Sequence, residues 1–456
     1  MKTNFLRGVG RLGLMAGLFG SALAGAVASA QTLEVRTHVL TNGMKMLVHE
    51  DRTIPNVAFY IFYRVGSRNE RPGTTGISHF FEHMMFNGAK KYGPKQFDVA
   101  MEGAGGANNA FTDYDITAYQ DWCPASALPL IFDLESDRIA HLSFDPKMVE
   151  SERGVVASER RLSEGDNGAL LSEQLWAAAY TAHPYQWPVI GWMVDIEHWV
   201  MADLKRHFEM GYSPSNAVMV VSGAASFTEV VSLAQRFVEP IAARAGPPAV
   251  TTREPEQTGE RRVKLVKFAQ LPLLMVGYHV PESAHPDFLA LQALRRILIF
   301  GHSSRLYQRL IDRDQSAIEV KADLSLAIDP TLFVFTCQAK EGGDTQAIEK
   351  ALYEELGQIQ RVGATERELQ KARNALLVEL YDQLKTIDGR SHALGNYEVF
   401  FGDYRKLLEV ETALNKVTRE DVQRVARKYF TENNRTVATL VPEAPRQEAG
   451  PSSTKE

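Results

Sequence analysis

Apolar and polar positions alternate on both sides of Asn42-Gly43, through Thr37-His38-Val39-Leu40 before it and Met44 to His49 after it. Alternation across Asn-Gly predicts a β-hairpin. Val57 to Val65 (VAFYIFYRV) is almost unbroken in its apolarity and reads as a buried strand. A polar loop from Gly66 to Gly76 leads into a helix that ends near Asn87-Gly88. Ala104 to Ala110 (AGGANNA) reads as a Gly/Asn-rich turn, and Thr112 to Gln120 alternates as a strand. Ala125 to Ser163 is helical, with a break at Phe144-Asp145-Pro146. A helix over Leu170 to Ala179 and a loop bearing His183-Pro184-Tyr185 follow. This half closes with a helix (Met201 to Met210), a turn (Ser213 to Asn216), a strand (Ala217 to Ser222) and a helix (Phe227 to Val238).

The stretch Ala245 to Glu260 is rich in Pro, Gly and Thr, has no period and reads as a linker. The pattern then begins again. Leu273 to Val280 is a strand, Asp287 to Phe300 an apolar helix, and Gly301-His302-Ser303-Ser304 its cap. Asp421 to Phe430, Asn434 and Thr436 to Val441 repeat the helix–Asn–strand order of Asp203 to Phe208, Asn216 and Val218 to Ser222. Two halves of like order predict an internal duplication.

Composition narrows the class. At 456 residues the chain exceeds one ordinary core, and 45% hydrophobic with 23% charged residues is globular usage. A formal charge of −6 with no basic run argues against nucleic acid as a partner. Lys2, Arg7 and Arg11 precede an apolar run from Leu12 to Val27 that ends in Ala28-Ser29-Ala30. That order predicts a secretory signal cleaved after Ala30. The run falls short of the ~20 apolar residues of a span, and no later stretch is long enough, so no membrane span is expected after cleavage. Cleavage would leave a charge of −9. The two cysteines, Cys123 and Cys337, fall in different halves and are expected to be buried free thiols.

The candidate chemistry lies in His79 to Phe86, HFFEHMMF. His79, Glu82 and His83 share a helix face, at spacings of three and four. Two imidazoles and one further ligand make an open zinc site, and a neighbouring carboxylate can act as general base. An amphipathic helix with two ordinary histidines would leave three polar groups in an apolar run unexplained. The best place for a third ligand is the acidic helix from Lys147 to Arg161. There Glu152 and Glu159 lie two turns apart and can face the same way. One could bind metal while the other bonds to a ligand, and spacing does not choose between them. Taken alone, both could be solvated surface glutamates.

HxxEH reverses the order of the commoner HExxH zinc motif and is an inverzincin signature. The chain resembles the family of pitrilysin, insulin-degrading enzyme and mitochondrial processing peptidase, over roughly 34 to 442. Beyond HFFEH, the likeness is carried by Gly105-Gly106 through Asn109-Ala110-Phe111-Thr112, similar to a GGxxNAxT segment. Further support comes from Glu152-Arg153-Gly154-Val155-Val156 with Glu159, His183-Pro184-Tyr185, and Tyr212-Ser213-Pro214-Ser215-Asn216-Ala217. The resemblance implies zinc ligands His79, His83 and Glu159, a general base Glu82, and a supporting carboxylate Glu152. It places Asn109 and Ala110 on or near the strand that holds an extended peptide.

The implied fold class is α+β, with two homologous domains, each an antiparallel-rich sheet covered by helices. The expected division is a signal over 1–30, a zinc-bearing domain over 31–244, a linker over 245–262, a metal-free domain over 263–442 and a disordered tail over 443–456. Aligning Phe86 with Phe300 sets Ala293, Arg296 and Ile297 opposite His79, Glu82 and His83, which leaves the second domain without ligands. Members of the family also use an arginine and a tyrosine from that domain to hold substrate. Here the matching LR…Y reads Leu310-Ile311 and Ile318, and neither isoleucine donates a hydrogen bond. Either Arg309 or Arg313 substitutes, or a related second subunit supplies the missing pair. The expected function is a periplasmic zinc metallopeptidase subunit, with one Zn²⁺ per chain, cleaving extended peptides as a heterodimer. A self-sufficient homodimer and a non-catalytic, core-type binding subunit are the alternatives.

Overall fold

The computed structural model describes residues 33–443. The first half supplies strands β1 (Arg36–Val39), β2 (Lys45–Glu50), β3 (Asn56–Tyr63), β4 (Ala107–Thr112), β5 (Thr117–Pro124) and β6 (Ala217–Gly223). Its helices are α1 (Ile77–Met84), α2 (Gln96–Gly103), α3 (Leu128–His141), α4 (Pro146–Gly165), α5 (Asn167–Ala179), α6 (Met193–His198), α7 (Met201–Gly211) and α8 (Phe227–Phe237). The second half supplies β7 (Arg261–Lys267), β8 (Leu273–Val280), β9 (Ala317–Asp323), β10 (Thr331–Ala339) and β11 (Arg435–Pro442). Its helices are α9 (Phe288–Ile299), α10 (Thr345–Val362), α11 (Glu366–Gln383), α12 (Ile387–Phe400), α13 (Lys406–Lys416) and α14 (Arg419–Tyr429).

The strands form two sheets, ordered β1-β2-β6-β3-β5-β4 and β7-β11-β8-β10-β9. Apart from β1, each strand of one sheet has its counterpart in the other, with one parallel pair (β2 with β6, β7 with β11) and antiparallel pairs elsewhere. The duplication extends to side chains. Asn216 Nδ2 donates to the carbonyls of Arg64 and Gly211, and Asn434 Nδ2 donates to those of His279 and Tyr429.

The Asn42-Gly43 hairpin forms as its residues dictate. Gly43 has φ 89°, Val39 pairs with Lys45, and Asn42 Nδ2 ties the turn to the carbonyl of Val238 at 2.8 Å. β3 reads as apolar throughout because both its faces are covered. Phe59, Ile61 and Tyr63 enter the first core with α1 and α3, while Tyr60 and Phe62 meet His392 on α12.

Several elements differ from the sequence reading, which also leaves β9, β10 and α10 to α13 unread. Ala107 to Ala110 is strand rather than turn, and the hairpin turns instead at Asp113 to Ile116, inside the span read as one strand. Asp113 Oδ1 makes that turn by accepting from the backbone N–H of Asp115 (2.7 Å) and Ile116 (2.8 Å). Helices α2 and α6 stand where none was read. The second sheet begins at Arg261, so β7 takes the last two positions of the 245–262 linker. The linker is also pinned along its length: Glu254 accepts from the backbone N–H groups of Thr181, Ala182 and His183.

The halves exchange a helix. α5 of the first half packs Leu171, Leu175 and Ala179 onto Leu273, Met275, Leu332 and Leu440 of the second sheet. α12 of the second half lies on the first sheet, where Asp388 accepts from Tyr60 Oη and Trp122 Nε1 and Ser391 Oγ donates to the Ala58 carbonyl. Both cysteines are buried and unpaired. Residues 1–30, read as a signal, and the tail beyond Glu443 lie outside the described residues. Among the described residues, no helix is long and apolar enough to cross a membrane.

Candidate metal centre

The segment before α1 fixes how the helix starts. Gly76 has φ 87°, and a Cβ there would fall 2.3 Å from the Ile190 carbonyl oxygen, so only glycine fits. Buried Glu70 caps the helix by accepting from the N–H of Gly76 and of Ser78, each at 2.7 Å. Burial pushes its carboxyl up to about 8 in spite of these bonds. Phe80, Phe81 and Met84 then face the core, and His79, Glu82 and His83 are left half-buried on the opposite side.

Across from that face stands α4, capped by Asp145 Oδ1, which accepts from Lys147 N and Met148 N, and begun by Pro146. It carries Glu152 and Glu159 to the histidines. Glu159 Oε2 lies 3.5 Å from His83 Nε2 and 3.8 Å from His79 Nε2. One ligand atom from each of the three residues falls within 4.8 Å of the others. Donors on a tetrahedral zinc with bonds of about 2.0–2.1 Å stand roughly 3.4 Å apart, so the set fits the ion. Glu152 has a different place. Its Oε1 lies 2.8 Å from His83 Nδ1, and its Oε2 accepts from Asn87 Nδ2 at 2.7 Å. A proton on Nδ1 leaves the Nε2 lone pair of His83 facing Glu159.

Electrostatics agree with this division. The His83 bond, opposed by burial and reinforced by Asn87, holds the Glu152 carboxyl below its usual range. Burial, with His83 adding to it, pushes His79 down to about 4, which keeps it neutral as a ligand must be. Burial also lowers His83, but the Glu152 bond and the charges of Glu159, Glu152 and Glu82 outweigh it and leave the net shift upward. Burial raises Glu82, against a hydrogen bond with Thr112 and the charge of His83. Thr112, Asn87 and Glu70 were not singled out from sequence. Asn87 was read only as the end of a helix, and Thr112 only as part of a motif.

Asn109 and Ala110 lie on β4, the edge strand of the first sheet, opposite Gln120 and Tyr119 of β5. In the second half, Ala293 and Ile297 are buried and Arg296 is ion-paired with Glu379 of α11, at the positions where the first half has His79, Glu82 and His83. Ile311 lies in a π-helical turn, Tyr307–Arg313, and Ile318 on β9 is 56% exposed. Arg309 is engaged with Asp314 and Glu354, and Arg313 with Asp314 and Glu355.

Residues 45–191 match the family described as insulinase (peptidase family M16), and residues 199–376 match the M16 inactive domain. The chain belongs to the M16 peptidase family, in its short two-domain form. It is 29% identical to the zinc protease PqqE of Helicobacter pylori over 84% of this chain and 87% of that one. A crystal structure of a protease from Helicobacter pylori superposes with a TM-score of 0.86 at 28% identity, covering 90% of this chain and all of the other. The chain is also 25% identical to mitochondrial cytochrome b-c1 complex subunit 1 of Bos taurus, over 93% of its own length and 91% of that protein's.

Proposed function

We propose that the chain is an exported zinc metalloendopeptidase subunit that hydrolyses extended peptides, with His79, His83 and Glu159 holding the metal. The observation that carries this reading is the convergence of three ligand atoms with His83 oriented by Glu152 behind it. Zinc held there would act as a Lewis acid and bring the pKa of a bound water towards ~7. Glu82, beside the ligands on the same helix face, accepts the proton of the attacking water. Its carboxyl, raised by burial, can then pass that proton to the leaving amine. The edge strand β4, with Asn109 and Ala110, holds the peptide backbone. Replacing Glu82 by Gln should keep about one zinc per chain and cut turnover roughly 100- to 10,000-fold. A variant that cleaves peptides at the normal rate would refute the general-base role.

Ile311 and Ile318 favour a related second subunit as the source of the missing arginine and tyrosine, because Arg309 and Arg313 are already engaged. Full turnover by the purified chain alone would sink that assignment and support a self-sufficient homodimer. Export to the periplasm follows from the basic, apolar, small-residue order before Ala30. The likeness to a cytochrome b-c1 subunit keeps one other reading, a non-catalytic binding subunit. Metal analysis separates them: a chain purified without zinc would favour that role.

A further inference from the structure

An apolar opening lies between the halves, at the end of β4. It is a cavity of about 360 Å³, walled by Phe111, Tyr114 and Trp176 from the first half and by Leu326, His392 and Phe400 from the second. Its walls are already arranged as an aromatic box. Tyr114 stacks on Trp176 at 5.0 Å between centroids, and Phe111 lies 5.8 Å from the His392 ring. The His392 ring nitrogens are within reach of the side-chain amides of Gln383 and Asn396, which fixes the ring in place.

The strand register connects this cavity to the peptide. Phe111 pairs with Ala118, and Thr112 pairs with Thr117, so the two residues point to opposite faces of the sheet. Thr112 turns to α1, where it bonds Glu82, and Phe111 turns to α12 and the cavity. A peptide added along the free edge of β4 alternates in the same way. Residues on the α1 side face the catalytic groups, and their immediate neighbours in sequence face the cavity.

We propose that this inter-half cavity is the specificity subsite of the peptidase and takes an aromatic side chain of the substrate. The proposal rests on the peptidase reading above. A phenylalanine or tyrosine would fill a space whose walls offer ring faces and edges at aromatic-pair spacing. The second half thereby shares in choosing the substrate, although it holds no metal ligand.

The test is binding to the zinc-loaded Glu82→Gln chain, with any subunit that co-purifies. A fluorescent alanine-based peptide series carries a single phenylalanine moved one position at a time. One register should bind about tenfold more tightly than the all-alanine peptide. Ser325→Trp, which fills the cavity from an exposed wall position, and Phe111→Ala, which removes one wall, should each bring that ratio close to 1 with unchanged far-ultraviolet circular dichroism. Binding without any preference for phenylalanine, or a preference that neither variant moves, overturns the subsite and leaves the peptidase reading intact. Failure of every peptide to bind overturns both.

Discussion

His83 is held from both ring nitrogens, by Glu152 at Nδ1 and towards Glu159 at Nε2, and this separates two glutamates that sequence leaves equivalent. HFFEH was legible because a helix needs only spacings of three and four to bring its three groups together. The roles of Glu152 and Glu159 were not, because residues seven apart share a face whichever one reaches the metal position. Glu152→Ala should therefore retain the three ligand atoms and still weaken zinc binding about 10- to 100-fold in competition with a chelator. A second residue is invisible in any motif. Arg138 on α3 is fully buried, bonded to Glu135 and within 4.4 Å of the ring centroids of Phe97 and Tyr119. Asp121 lies in the same pocket of charge, and burial together with Glu135 drives its carboxyl well above the usual range. Arg138→Met would strand the buried Glu135 carboxylate with no cation, and should cost about 3–5 kcal/mol in urea unfolding.

Elements were legible where one periodicity governed them, and misplaced where a turn was made by a side chain. The hairpin β4–β5 turns on the Asp113 carboxylate, a contact that AGGANNA upstream masked with a stronger turn composition. β7 escaped notice because it follows a Pro/Gly-rich stretch and is strongly charged, RRVKLVK, as an edge strand can be. Between α9 and α14 the packing carries a pH dependence. Asp287, just before α9, accepts from Tyr429 Oη (2.6 Å), Arg424 (2.7 Å) and Lys428 (3.2 Å). Burial alone would raise its carboxyl, but these bonds outweigh it and bring it down to about 2. The folded state thus binds the proton less tightly than the unfolded state, whose value is about 3.9. The stabilisation is complete above that value and is lost as pH falls towards about 2. Urea midpoints measured across that window should fall less steeply for Asp287→Asn than for the native chain.

At the scale of the whole molecule, the repeat was readable and the exchange of helices was not. Leu170 to Ala179 reads as a helix, but nothing in it says which sheet the helix covers, and Ile387 to Phe400 carries no helical stripe to read. Each covers the sheet of the other half. A Cβ at Gly395 on α12 would lie 2.0 Å from the Phe62 ring of β3, so the helix sits on the sheet with no room between them. Cutting the chain in the linker near Gly246 would therefore do more than separate two lobes. The first fragment would bare Tyr60, Phe62 and Trp122 where α12 had lain, and would leave Leu171 and Leu175 of α5 without the second sheet. Neither fragment buries its own sheet on both faces, so each should be expanded and lack a cooperative thermal transition when expressed alone. Co-expressed, the two should associate and recover both the transition and stoichiometric zinc. A monomeric first fragment that melts cooperatively and binds zinc as the full chain does would refute this. It would show that the zinc-bearing half stands alone, and that the exchanged helices join the halves without stabilising either.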